Sequence, residues 1–266
     1  MFQAVDKVPA KFYKYRPMNT PELVQRVESI VLHNEIFFAP PPLFNDPFDL
    51  KPAFSLDAPP ECQREDYLRL SRKFQPHFSD AQHNKEADSV MAKSLDAENI
   101  AGTVAIIQAM YAEVLIRVGV FCVSTKRDDI LMWSHYADSH RGVCLEFDGM
   151  ARLMAHAQQV NYSRKRVPIN PYADDNMARM EKAMLTKSEH WAYEAEWRLF
   201  RHIEGPGSVK FCPPNLTGII LGALASQDTL DMVRKWMAQR SSPLAIYRAT
   251  TSGQDFELQI APYHRP

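Results

Sequence analysis

Two carboxylates lie close together in the stretch YEAEWR, where Ala195 separates Glu194 from Glu196. In a β-strand, side chains alternate between the two faces, so Glu194, Glu196 and Arg198 would share one face. Adjacent like charges repel each other, and paired carboxylates of this kind commonly divide their work. One stabilises a developing cation and the other deprotonates an acceptor. We therefore take this pair as the candidate catalytic site, with a solvent-facing edge strand protected by its charges as the alternative.

Further polar and aromatic side chains cluster elsewhere in the chain. The candidates for ligand binding are Arg16, Ser124, Thr125, Trp133, His135 and Tyr136. The planar fork of Arg16 suits a phosphate or a carboxylate, whereas the alternative is a surface cation at a strand end. His135 is a candidate base or stacking group, or else a hydrogen-bonded helix histidine.

Four motifs, taken in their order along the chain, resemble one bacterial family, the domain-of-unknown-function family numbered twenty-nine seventy-one. They read YKYR, FNDPFD, FCVSTKRDDILMWSHYADSHRGVCLEFD and KSEHWAYEAEWRL, and they span residues from about 12 to 201. The resemblance implies membership of a family without implying an activity.

A second resemblance carries chemical content. The chain has an early strand with Arg16, then a strand end at Ser124 and Thr125, and then the pair Glu194 and Glu196. This order is similar to the Arg-Ser-Glu order of ADP-ribosyltransferases. The resemblance implies that Arg16 holds a phosphate of NAD and that Ser124 supports the nicotinamide pocket. It also implies that Glu196 stabilises the oxocarbenium-like transition state at the ribose, while Glu194 assists the acceptor. Trp133 or Tyr136 could stack on the nicotinamide.

The second resemblance implies an enzyme that cleaves NAD, its nucleotide substrate, and transfers ADP-ribose to an unknown macromolecular acceptor, as a toxin or a phage-defence effector would. The alternative is a non-enzymatic regulatory module that binds a small ligand or a protein. A third possibility is a metal-dependent hydrolase or nuclease that uses Asp46, Asp49, His135 and Glu146. Asp46 and Asp49 alone form an incomplete metal site and also suit a turn, so we assign no metal site.

The elements that would position these residues predict an α+β fold. Short strand patterns alternate irregularly with helical ones, which favours a split, mixed and mostly antiparallel sheet surrounded by helices over a doubly wound sheet. Residues 61–118 have helical periodicity and read as a helical insertion within a single domain of 266 residues.

Composition limits the other classes of function. With Lys plus Arg at 31 and Asp plus Glu at 32, the chain has no overall basic charge to favour nucleic acid. Four widely spaced cysteines, Cys62, Cys122, Cys144 and Cys212, indicate neither a zinc cluster nor a disulfide framework. No window approaches the roughly 18 apolar residues that would cross a bilayer, and no secretory signal pattern is present. We expect a cytoplasmic protein without a membrane partner.

Overall fold

The computed structural model describes residues 8–93 and 97–263. It divides the chain into two compact units. Unit 1 comprises residues 1–43, 117–160 and 189–266, and unit 2 comprises residues 44–116 and 161–188.

The strands alternate with helices in an irregular order. In chain order the strands are β1 (Lys11–Arg16), β2 (Glu35–Phe38), β3 (Gly119–Ser124), β4 (Val143–Asp148), β5 (Gln158–Gln159), β6 (Asn161–Ser163), β7 (Thr186–Ser188), β8 (Glu196–Arg201), β9 (Gly207–Lys210), β10 (Leu216–Leu221), β11 (Ala245–Thr251) and β12 (Leu258–Pro262). The helices are α1 (Pro21–His33), α2 (Pro60–Phe74), α3 (Asp80–Lys93), α4 (Ala97–Leu115), α5 (Ile130–Tyr136), α6 (Asn176–Met184) and α7 (Gln227–Gln239).

Unit 1 is built on an eight-stranded sheet in the order β12-β11-β10-β4-β1-β3-β8-β5. Only the β10–β11 pair is parallel, and α7 lies in the connection between these two strands. The early strand β1 lies at the centre, antiparallel to both β4 and β3. A separate antiparallel pair joins β2 to β9.

The two faces of this sheet carry different cores. One face bears Phe12, Phe121, Leu145 and Trp197, which pack with apolar residues of α1 and α7. The opposite face bears Tyr13 and Tyr15 with Met132 and Trp133 of α5. Strand alternation produces this division, because neighbouring residues point to opposite sides.

Local sequence explains where the flanking helices begin. Thr20 caps α1 by accepting a hydrogen bond from the Leu23 backbone nitrogen, and Pro21 occupies the first helical position. Asp129 caps α5 by accepting from the backbone nitrogens of Leu131 and Met132. Both helices therefore begin where side-chain oxygens satisfy backbone donors that lack a partner within the helix.

Unit 2 combines α2, α3, α4 and α6 with the short parallel pair of β6 and β7. The predicted helical insertion at 61–118 corresponds to α2, α3 and α4, and the unit also includes residues 161–188. The prediction that the whole chain is one domain stays a prediction.

The α+β class with a mixed, mostly antiparallel sheet is confirmed. Among the helices in residues 8–93 and 97–263, none is both long and apolar enough to cross a bilayer.

Candidate functional site

The sheet register places the predicted serine and one predicted glutamate side by side in unit 1. Ser124 of β3 pairs with Glu196 of β8, and Cys122 pairs with Arg198. Ser124 also pairs with Tyr13 of β1. Paired residues point to the same side of a sheet. These side chains therefore share the face that carries Tyr13 and Met132, opposite the core formed with α1 and α7.

A buried ion pair fixes the carboxylate of Glu196. Arg198 donates from Nε to Oε1 at 2.8 Å and from its terminal nitrogen to Oε2 at 3.0 Å. Arg198 is 0% exposed and Glu196 is 5% exposed. Such a two-point contact sets the orientation of the carboxylate and offsets much of its charge. Burial, followed by the Glu196 charge, raises the pKa of the neighbouring Cys122 thiol.

Glu194 does not belong to the strand, so its predicted place in the strand's row of charges is wrong. It ends a 3₁₀ helix over Glu189–Glu194, and β8 begins only at Glu196. Between them Ala195 has φ of 43°, a left-handed conformation that is uncommon for alanine. This turn, rather than strand alternation, sets the direction of the Glu194 side chain.

The end of β3 holds this turn in place. The Ser124 hydroxyl donates to the Glu194 carbonyl at 2.6 Å and accepts from the Lys126 backbone nitrogen at 2.9 Å. The backbone nitrogen of Thr125 donates to the Ala195 carbonyl at 3.2 Å. Ser124 and Thr125 thus position the backbone on which the two glutamates stand.

Helix α5 supplies a hydroxyl to the second carboxylate. The Tyr136 hydroxyl donates to Oε1 of Glu194 at 2.6 Å. Glu194 is only 3% exposed, so the tyrosine satisfies one oxygen of a desolvated carboxylate. Glu196 thus has a guanidinium among its partners, and Glu194 has a tyrosine hydroxyl.

Four aromatic side chains form a group at this end of the unit, which we name the aromatic rim: His135, Tyr136, Trp191 and Tyr193. His135 Nδ1 lies 2.8 Å from the Tyr193 hydroxyl, and the Trp191 ring centroid is 6.3 Å from that of His135. His135 is exposed and the other three are half-buried. The rim therefore combines ring surfaces with a carboxylate bound to one of its members.

Trp133 is separate from the aromatic rim. Its side chain is 0% exposed, its ring packs edge-on against Tyr15, and its Nε1 donates to the Arg127 carbonyl. Trp133 thus anchors α5 to the sheet, and its ring is not presented for stacking on a ligand.

The structure does not bring Arg16 to this group. Arg16 points to the same side of β1 as Phe12 and Lys14, because every second residue of a strand faces one way. The ammonium of Lys14 lies 5.1 Å from the centre of the Phe121 ring on that side. Arg16 therefore lies on the α1 face, whereas Glu196 lies on the opposite one. Burial, followed by the charge of Arg26, lowers the pKa of Arg16 to about 10, and its Nε is buried without a hydrogen-bond partner among the described residues.

Lys14 is a second desolvated cation on the face of Arg16. It donates to the Cys122 carbonyl at 2.6 Å. Burial, followed by the charge of Arg16, lowers its pKa to about 8. The sequence places this lysine in a polar and aromatic cluster with Tyr15 and Arg16 but assigns it no role of its own.

The residues of the metal-dependent alternative do not form a ligand set. Within residues 8–93 and 97–263, no three His, Cys, Asp or Glu side chains are grouped as a metal ion would require. Glu146 is instead engaged by Lys11 at 3.2 Å and by the Thr217 hydroxyl at 2.7 Å.

Sequence reasoning also missed Trp191 and gave Tyr193 no role of its own. The stretch HWAYEAEW contains many aromatic residues, which could have indicated a group of rings here. Its meaning depends on the 3₁₀ helix, which brings both rings to α5.

Comparison with protein-family models matches part of the chain. Residues 132–199 match the model of a family described as a protein of unknown function (DUF2971). The matched segment runs from α5 into β8 and includes the aromatic rim, Glu194 and Glu196, whereas Arg16, Ser124 and Thr125 lie outside it. No curated protein and no solved structure matches the chain. The resemblance to this family is confirmed over residues 132–199, and only this segment is matched.

Proposed function

We propose that the chain is an ADP-ribosyltransferase-like enzyme that cleaves NAD at the bond between nicotinamide and ribose and passes ADP-ribose to an acceptor. One observation carries the proposal. Two buried carboxylates, each fixed by a hydrogen-bond donor, stand at the same end of unit 1 as the aromatic rim. Cleavage of a cationic pyridinium from a sugar needs both of these features.

The carboxylates supply the electrostatic part of the reaction. When the bond between ribose C1′ and the ring nitrogen breaks, its electron pair leaves with nicotinamide, and positive charge develops on the ribose. Glu196, oriented by Arg198, stabilises that charge in a site from which water is largely excluded. The acceptor then forms a bond to C1′, and Glu194 takes its proton.

The aromatic rim supplies a surface for the leaving group. A flat cationic ring is attracted to aromatic faces as well as to carboxylates. Tyr136 joins the two features, because its hydroxyl donates to Glu194. Tyr136, Tyr193 and Trp191 suit nicotinamide better than the fully buried Trp133 does.

The phosphates of NAD need a cation on the carboxylate side of the sheet. Lys126 and Arg127 directly follow Ser124 and Thr125, whereas Arg16 lies on the opposite face. Arg127 suits this role because a guanidinium binds phosphate at two points. We therefore assign phosphate binding to Arg127 in place of Arg16.

The test is to incubate the protein with NAD labelled on the adenylate phosphate, with and without a cell lysate. Released nicotinamide and transferred label are measured. Glu196→Gln should slow nicotinamide release by about 10²-fold or more, because the oxocarbenium ion loses its counter-charge. Glu194→Gln should slow transfer to the acceptor more than it slows release.

Glu257→Gln is the matched control, since Glu257 is exposed in the turn between β11 and β12. Arg127→Ala should raise the KM for NAD, and Arg16→Ala should not. Thermal melting of each variant verifies folding, because Glu196→Gln also removes the charge partner of Arg198. An unchanged release rate in Glu196→Gln contradicts the proposal, and so does wild-type protein that neither cleaves nor transfers.

The second candidate is a binding module without catalysis. The observation that favours it is the separation of Arg16 from Glu196, which breaks the Arg-Ser-Glu arrangement. In this function the aromatic rim and Glu194 bind a cationic or aromatic ligand, and nothing is turned over. Calorimetry that detects NAD binding to wild-type protein in which no nicotinamide is released would select this candidate.

A further inference from the structure

A cavity of about 300 Å³ lies entirely within unit 2. Its walls come from the segment that follows Phe44 and from the segment between β6 and β7. The lining residues are Asp46, Phe48, Asp49, Leu50, Lys51, Pro52, Ala53, Ser163, Arg164, Lys165, Arg166, Val167, Lys182, Ala183, Thr186, Lys187 and Ser188. The volume lies at the lower end of the range for small-molecule sites, which suits a ligand smaller than a dinucleotide.

The charge around this cavity differs from that of the whole chain. The chain has a formal net charge of −1, yet the lining holds six basic residues and two acidic ones. Lys182 is neutralised by Asp174, which lies 2.7 Å from its ammonium. The remaining excess of cations favours an anion in the cavity.

The rim of the cavity is exposed, and parts of it are held in place. Lys51, Arg164, Lys165 and Arg166 are all exposed. The Ser163 hydroxyl donates to the Lys165 carbonyl at 2.7 Å, and Arg166 donates to the Lys51 carbonyl. The rim cations thus stand on a backbone that is partly fixed before a ligand arrives, which lowers the entropic cost of binding.

The floor of the cavity is acidic and buried. Asp46 accepts from the Phe48 backbone nitrogen through Oδ1 at 2.8 Å, while its Oδ2 is buried without a hydrogen-bond partner among the described residues. Asp49 lies 3.7 Å from the ammonium of Lys187, and both residues are buried. A desolvated carboxylate oxygen that lacks a donor is costly, so a ligand that offers hydroxyl groups there would be favoured.

We propose that this cavity binds a small phosphomonoester that also carries hydroxyl groups, such as a nucleoside monophosphate or a sugar phosphate. The phosphate binds the rim cations, because a dianion can satisfy several of them at once. The hydroxyl groups donate to the acidic floor at Asp46. The site lies in unit 2 and does not depend on NAD cleavage in unit 1.

The wall residue Phe48 distinguishes the two sources of such a ligand. Its ring is 61% exposed, and the Arg166 guanidinium lies 5.7 Å from the ring centre. An exposed ring beside a guanidinium stacks on a base, whereas a sugar phosphate has no planar group to use it. A nucleotide should therefore bind more tightly than a sugar phosphate, and Phe48→Ala should abolish that difference.

The test is isothermal titration calorimetry of the full chain with four probes: AMP, glucose 6-phosphate, inorganic phosphate and a single-stranded oligonucleotide. AMP or glucose 6-phosphate should bind. The double variant Lys51→Ala, Lys165→Ala should weaken that binding about tenfold or more, since each cation contributes a charge-assisted hydrogen bond. The double variant Lys73→Ala, Lys85→Ala is the matched control, because these exposed lysines lie on α2 and α3 and do not line the cavity.

Asp46→Asn tests the floor separately, because asparagine keeps the acceptor for the Phe48 backbone nitrogen but loses the charge. It should weaken the binding of AMP or glucose 6-phosphate without weakening the binding of inorganic phosphate. Four outcomes overturn the proposal: no phosphomonoester binding at millimolar concentration, equal binding to the rim variant, binding of the oligonucleotide alone, or an equal loss of all anions in Asp46→Asn.

Discussion

The buried guanidinium of Arg198 fixes the orientation of the Glu196 carboxylate. Arg198 binds both carboxylate oxygens and is 0% exposed, so neither charge has water to compensate for the loss of its partner. Burying such a pair is costly in itself, but breaking it is costlier still. Glu196 therefore has a fixed direction, which a group that stabilises charge at a defined atom needs.

We expect Arg198→Met to lower the free energy of unfolding by about 3–5 kcal/mol, because it removes the guanidinium that binds both oxygens of a buried carboxylate. Urea unfolding followed by circular dichroism measures this change. The double variant Glu196→Gln, Arg198→Met should recover much of the loss, since it removes both charges. A loss below about 1 kcal/mol in the single variant would show that the pair is not desolvated.

Lys14 should give the free energy of unfolding a dependence on alkaline pH. Burial, followed by the charge of Arg16, lowers its pKa to about 8 from 10.5. Between these pH values the unfolded chain binds more protons than the folded one. The penalty of burying the charged amine is therefore complete below pH 8, and stability increases as pH rises from 8 to 10.5.

Urea unfolding at several pH values between 7 and 10.5 measures this effect. Lys14→Met has no amine at this position, so its stability should exceed that of the wild type by an amount that shrinks as pH rises. A difference that stays constant across this range would contradict the lowered pKa.

At the residue scale, sequence reasoning could identify the chemical groups but not all of their partners. Alternation correctly put Glu196 and Arg198 on one face of the strand and Trp197 on the other. It could not place Glu194, because Ala195 adopts a left-handed backbone conformation. Glycine or asparagine at this position would have indicated such a turn, but alanine does not. The side of Arg16 relative to Glu196 depends on strand order, which no local pattern contains.

At the scale of elements, the short helix α5 determines where Tyr136 and His135 stand. It spans Ile130–Tyr136, and at this length a helix has little stability of its own. Two backbone nitrogens of its first turn donate to Asp129, and the buried Trp133 ties the helix to the sheet. The cap and the anchor together hold the aromatic rim against Glu194.

Asp129→Ala should lower the free energy of unfolding by about 0.5–2 kcal/mol, because the first turn of α5 loses its acceptor. Thermal or urea unfolding provides the measurement. Asp128→Ala is the matched control, since Asp128 is exposed, immediately precedes the cap and is not the capping residue of α5. Equal effects of the two substitutions would mean that the cap does not stabilise the helix.

The elements themselves were more predictable than their contacts. The start of α1 has local signals in Thr20 and Pro21, and the start of α5 has one in Asp129. Alternating aromatic residues marked β1. Glu194, the last residue of the 3₁₀ helix over Glu189–Glu194, was predicted to lie in a strand, because the residues around it also suit a strand. Its actual path depends on the bonds from Ser124 and Thr125.

At the scale of the whole molecule, the four thiols should divide into two classes. Cys62 and Cys212 are exposed, whereas Cys144 is buried and Cys122 is half-buried. Burial raises the pKa of both Cys122 and Cys144, which lowers the thiolate fraction available to react.

A thiol reagent at neutral pH should therefore modify two cysteines quickly in the native protein and all four in denaturant, with absorbance as the measurement. The double variant Cys62→Ser, Cys212→Ser should lose the fast phase. Persistence of a fast phase in that variant would show that one of the other two thiols is accessible.

The α+β class followed from the irregular order of strand and helix patterns, but the arrangement of the sheet did not. Its central strand β1 pairs with β4 and β3, which lie more than a hundred residues later. Unit 2 likewise joins residues 44–116 with 161–188. Long-range pairing of this kind leaves no periodic signal in the sequence, so the two units could not be derived from it.

The central position of β1 has a consequence for synthesis on the ribosome. At about 5–20 residues per second, β1 would emerge roughly 5 to 22 s before β3, the earlier of its two partner strands. During this time an aromatic strand has both edges unpaired, and only Lys11, Lys14 and Arg16 discourage it from joining other chains. The same cations that are partly or largely buried in the finished sheet thus act earlier as gatekeepers against aggregation.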